Sequence, residues 1–69
     1  SMILDIHQLS SESVQIVLVN ALGQVVDQLH SGSLSSGKHI FTIDEQAAGL
    51  YTLVLSKGTH SDIRRVVFR

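Results

Sequence analysis

Apolar residues along this chain either alternate with polar ones or gather in short β-branched runs, and both patterns predict strands rather than helices. The strongest signal lies in the last third. Residues 49–55, Gly-Leu-Tyr-Thr-Leu-Val-Leu, are rich in aliphatic and aromatic side chains, residues 56–61 are polar with a glycine, and residues 62–69 are apolar again. This reads as one β-hairpin that ends at Arg69. Because side chains alternate along a strand, Tyr51, Leu53 and Leu55 share one face while Leu50, Thr52 and Val54 share the other. Leu50 and Val54 make that second face partly apolar, which predicts a strand flanked on both sides.

The same reading applied from the N-terminus predicts a strand over residues 3–9 with Leu4 and Ile6 on one face, then a turn at Ser10-Ser11-Glu12-Ser13. Residues 14–19 are nearly all apolar, with Val14, Ile16 and Leu18 on one face and Val17 and Val19 on the other. Four β-branched residues in this run of six argue against a helix and for a central strand covered on both sides. Asn20-Ala21-Leu22-Gly23 predicts a tight turn, because Asn and Gly tolerate left-handed backbone. A strand over residues 24–30 completes a hairpin. Residues 31–37, Ser-Gly-Ser-Leu-Ser-Ser-Gly, read as a loop with Leu34 tucked onto the core. Residues 39–44 alternate, with Phe41 and Ile43 inward and Thr42 and Asp44 outward. Glu45-Gln46-Ala47-Ala48 reads as a connector of at most one helical turn. Six strands with turn signals about every 8–12 residues predict a small antiparallel sandwich or barrel.

Composition narrows the function classes. A single domain of 69 residues buries only about 60% of its unfolded surface, and without cysteine neither a disulfide nor a thiolate metal site reinforces it. Hydrophobic content of 43% against 16% charged residues predicts a folded globule. A net charge of −1 offers no basic footprint for nucleic acid or a membrane surface. No apolar run approaches the roughly 20 residues that span a bilayer, and the N-terminus does not read as a signal peptide. Ser1-Met2 is expected to be a cloning scar, leaving residues 3–69 as the domain. With no proline in the chain, edge protection must come from charges, bulges or a partner.

Candidate chemistry is sparse. His7, His30, His39 and His60 fall on four segments without metal-ligand spacing and are expected at strand ends and loops, exposed or half-exposed. Asp44-Glu45 is an ordinary surface pair, and no serine sits in a nucleophile elbow. The Gly/Ser-rich stretch around residues 32–37 lacks the lysine and helix of a phosphate loop. Arg64 and Arg65 face opposite sides of one strand. The expectation is a non-enzyme with no cofactor, no metal and no small-molecule substrate.

Three pieces in order carry a family resemblance: residues 14–26, an apolar strand, an Asn-x-x-Gly turn and a second strand; residues 34–44, Leu-Ser-Ser-Gly-Lys-His-Ile-Phe-Thr-Ile-Asp; and residues 48–55, Ala-Gly-Leu-Tyr-Thr-Leu-Val-Leu, closed by Arg65-Val66-Val67-Phe68-Arg69. Together they resemble the type A C-terminal sorting domain of the type IX secretion system of Bacteroidetes, over nearly the whole chain. Members of that family usually begin with a short proline-containing stretch, which is absent here. The resemblance therefore implies that a leading segment is missing and that a strand edge is left open to an edge-paired or swapped homodimer.

The resemblance implies an Ig-like sandwich of six to seven strands at the C-terminus of a cargo protein. Such a domain is read by the outer-membrane translocon and usually removed by a surface sortase, so it passes through the periplasm to the cell surface or the medium. The residues implied to carry the signal are Gly49, Leu50, Tyr51, Lys57, Gly58, Arg65, Val66, Val67 and Arg69. Gly49 would let the chain turn, Tyr51 would offer an apolar ring with a polar tip, and the last arm would supply an edge for strand addition and a charge. An uncleaved structural spacer, or an uncleaved module anchoring its own protein at the surface, are the competing readings.

Overall fold

The computed structural model describes residues 2–69 and is all-β. Its strands are β1 Met2–Gln8, β2 Glu12–Val19, β3 Val25–Leu34, β4 Gly37–Ile43, β5 Gly49–Lys57 and β6 His60–Phe68. They form two antiparallel sheets, one of two strands in the order β1-β4 and one of four in the order β3-β2-β5-β6. The sheets face one another as a small sandwich around Ile6, Val14, Ile16, Leu18, Leu34, Ile43, Tyr51, Leu53 and Phe68. Met2 pairs with Ile43 at the start of β1, and Ser1 lies outside the described residues.

Alternation decides which residues enter this core, and it outranks hydrophobicity. Leu4 and Ile6 face in as expected, but the same row continues to Gln8, which is buried while Leu9 is 92% exposed. The Gln8 amide nitrogen donates to the Ser10 carbonyl at 3.3 Å, and its Oε1 has no protein hydrogen-bond partner among the described residues.

The turn at Asn20–Gly23 forms as its residues demand. The Asn20 side-chain oxygen accepts from the backbone N–H groups of Leu22 (3.0 Å) and Gln24 (2.9 Å), and Gly23 takes φ +86°. Two expectations are corrected. The stretch over 31–37 is largely strand, because β3 runs to Leu34 opposite Glu12 in regular register, and the two β-bulges of this pair fall earlier in β3, at Leu29 and Val26. Leu34 is buried, as expected. The six-residue polar middle of the last hairpin shrinks to Gly58-Thr59, since pairing continues to Lys57 and His60. Gly58 at φ +55° with Thr59 at negative φ fits a type II′ turn, which follows the strand twist.

The connector over 45–48 holds no helical turn. It is fixed instead by Tyr51, whose hydroxyl donates to the Ala47 carbonyl at 2.7 Å. A tyrosine near the start of the strand after such a corner, bonded back to the backbone upstream, is a hallmark of Ig-like sandwiches.

Candidate functional site

β2 and β5 are central strands, but only one of their faces is covered. On the inner face Val14, Ile16 and Leu18 are essentially inaccessible. On the outer face Val17, Val19 and Val54 are half-buried and no second layer lies over them among the described residues. This corrects the expectation of a strand flanked on both sides. The apolar outer row is a surface.

Register places the members of that surface together. β5 and β6 bring Leu50 opposite Val67, Thr52 opposite Arg65 and Val54 opposite Ile63. β2 adds Val17 beside Val54 and Val19 beside Thr52. Leu50 is 49% exposed, Val67 50% and Ile63 66%. An antiparallel sheet with one wet face ordinarily alternates hydrophobic-in and polar-out. Here the outer row is also largely apolar, broken by Thr52 and Arg65. Arg65 is exposed within it, opposite Thr52.

The nine residues implied by resemblance separate into three groups. Leu50, Arg65 and Val67 lie on the outer face and are exposed. Tyr51 and Val66 pair with each other on the inner face, where Tyr51 is buried and meets Phe68 edge-on at a ring-centroid distance of 5.3 Å. Gly49 stands opposite Phe68, and a side chain placed there would meet the Tyr51 ring. Of the three, Tyr51 is buried, Val66 half-buried and Gly49 exposed. Lys57 and Gly58 lie at the turn, seven residues along β5 from Leu50 and therefore roughly 23 Å away. Arg69 follows the end of β6 beside a cleft of about 300 Å³ with Met2, Glu45, Gln46, Val67 and Phe68. The structure thus brings Leu50, Arg65 and Val67 together, with Arg69 at their end, and separates them from Lys57 and Gly58.

Sequence reasoning missed Val17, Val19, Val54 and Ile63 as members of this surface. For the three valines the signal was present in the second apolar row of β2 and β5, but it was assigned to a covering layer; Ile63 lies on β6, opposite Val54.

In exposure the histidines match the expectation, His7 and His60 exposed and His30 and His39 half-buried, but His30 lies in the middle of β3 and His39 within β4 rather than at strand ends or in loops. The His30 ring packs against Phe41 at 5.8 Å, with Nε2 3.1 Å from the Gly32 and Ser33 carbonyl oxygens. Nε2 of His39 lies 2.8 Å from the Ser35 carbonyl oxygen. Among the described residues no three His, Asp or Glu side chains converge as a metal site. No helix among them is long and apolar enough to cross a membrane. Comparison with protein families, curated proteins and solved structures gives no match for this chain.

Proposed function

We propose that this domain is a secretion-sorting module of the type IX kind, a folded address that the outer-membrane translocon reads on the outer face of the β5–β6 hairpin. It works by binding and carries no catalysis of its own. Its cargo passes through the periplasm to the cell surface, where a sortase removes the domain. The observation that carries this reading is the outer apolar row of exposed Leu50, Val67 and Ile63 with half-buried Val54, around Arg65, on the terminal hairpin that the resemblance includes. Such a patch is a poor solvent-facing surface and a good docking one. The aromatic pair beneath it and the Tyr51–Ala47 bond fix its shape before any partner arrives, which limits the ordering cost of binding.

An export assay tests the reading. A fluorescent reporter followed by residues 2–69, led by an inner-membrane signal peptide, is expressed in a type IX-secreting host. The reporter is expected at the cell surface or in the medium, whereas the reporter without the domain stays in the periplasm. A folded fusion that remains periplasmic sinks the sorting reading in favour of an uncleaved structural module. Deleting residues 65–69 is a poor control, because it also removes the buried Phe68. Substitution on the outer face is the cleaner probe.

A further inference from the structure

The outer face of the four-stranded sheet is ordered in rungs, because register sets residues straight across the strands. Leu50 and Val67 make the first rung, both exposed. Val19, Thr52 and Arg65 make the second, and Val17, Val54 and Ile63 the third. The fourth is polar and uncharged, with Gln15 between Ser31 and Ser56 and Ser61 beyond. The apolar surface therefore stops at one rung and holds one charge, between two apolar rungs.

No acidic group among the described residues shares this face. Glu12 lies in the same row of β2 as buried Val14, Asp27 stands opposite buried Leu18, and Asp62 stands opposite Leu55 of the inner row. Asp5 belongs to the other sheet, and Asp44 and Glu45 to the connector after β4. Lys57 and Arg64 pair with Val14 and Leu53, so they too lie on the inner row. Arg65 is thus the single formal charge within the strands of the outer face, with neutral Thr52 opposite it.

We infer that the occupant of this face is a protein surface that is apolar apart from a carboxylate, and that the carboxylate meets Arg65. The inference deepens the sorting reading and rests on it, since the surface belongs to the component that reads the hairpin. A body seated on both the Leu50–Val67 rung and the Val54–Ile63 rung crosses the guanidinium between them. Covered without a counter-charge, that guanidinium is a buried unpaired ion, which is strongly unfavourable. A carboxylate satisfies it with two parallel N–H bonds. A second copy of this chain does not meet the requirement, because its matching face offers no carboxylate and adds a second guanidinium. An anionic membrane surface is recognised by clusters of basic residues, and this face carries one.

The export fusion carries the test, with Arg65 replaced by lysine, methionine or glutamate. Methionine separates the alternatives, because it makes the face more apolar. It preserves docking on a purely apolar partner and leaves a partner's carboxylate unpaired. Surface delivery is expected to stay within about threefold of wild type for Arg65→Lys and to fall at least tenfold for Arg65→Met and for Arg65→Glu. Gln15→Glu, on the polar rung, should deliver as wild type. Both positions are exposed, so melts of the purified variants should agree with wild type within about 4 °C. Wild-type delivery by Arg65→Met overturns this inference alone, as does a loss in Arg65→Lys or Gln15→Glu equal to that in Arg65→Met. A folded wild-type fusion that stays in the periplasm removes the sorting reading and the inference with it. Three further results would assign the face to another occupant and overturn the inference. They are sedimentation of the purified chain as a dimer that Leu50→Lys dissolves, Arg65-dependent binding to vesicles of anionic phospholipid, and crosslinks from position 50 to the fusion's own residues ahead of Ser1.

Discussion

Ile16→Ala lowers the melting temperature by about 8–40 °C and leaves a substantial unfolded fraction at 37 °C. Ile16 has no accessible surface and sits in the centre of β2 between Leu55 of β5 and His30 of β3. Truncating a buried isoleucine to alanine costs about 2–5 kcal/mol, from lost transfer energy and from the cavity left behind. A domain of this length holds only roughly 3–10 kcal/mol in total, and in domains this small each kcal/mol moves the midpoint by about 4–8 °C. No disulfide buffers the loss. Leu22→Ala is the control: Leu22 is 85% exposed in the β2–β3 turn, and its truncation should stay within about 0.5 kcal/mol. Thermal melts followed by circular dichroism compare the two. A shift for Ile16→Ala no larger than that for Leu22→Ala would contradict the assigned core.

The second large effect falls on export and leaves the fold intact. The double variant Leu50→Lys with Val67→Glu is expected to reduce surface delivery of a fused reporter at least tenfold. The two positions are directly opposite on the outer face and half exposed, so the new charges stay in water and pair with each other across the strands. Stability should therefore change by no more than about 1 kcal/mol. Docking is another matter. Burying an apolar side chain contributes about 1.5–3 kcal/mol when complete, and each of these residues has half of that still available to a partner. Two charges in their place bring a desolvation cost instead of that gain. Surface fluorescence alongside a melt separates the two properties. Wild-type delivery by a correctly folded variant would remove the hairpin face from the mechanism.

Period-two alternation made much of this fold legible. It placed the inner rows of β1, β2, β4 and β5, and side-chain chemistry placed the Asn20–Gly23 turn. It failed where polar composition concealed a strand. Ser31, Gly32 and Ser33 carry the signature of a loop, yet β2 supplies a pairing partner that local propensity cannot reveal. The Gly58-Thr59 turn was hidden for the same reason, among residues that read as polar loop and instead extend both arms.

The candidate surface was legible only in part. Leu50, Arg65 and Val67 were named together with Tyr51 and Val66, because a sequence cannot say whether an apolar row faces a second layer or water. Two rows of valine and leucine on β2 and β5 predict burial on both sides in a large protein. In this chain the small sheet covers one face, and the other row is left in solvent. Tyr51 shows the converse. Its ring and hydroxyl looked suited to a partner, and both are engaged internally by Phe68 and Ala47.

The most direct test of the central claim is site-specific photocrosslinking in a type IX-secreting host. A photoreactive residue is placed singly at position 50, 67, 59 or 22 of an exported fusion. Adducts with an outer-membrane translocon component are expected from positions 50 and 67, on the outer hairpin face, and not from 59 at the distant turn or 22 in the β2–β3 turn. Adducts from 59 or 22 with none from 50 and 67 would contradict the account.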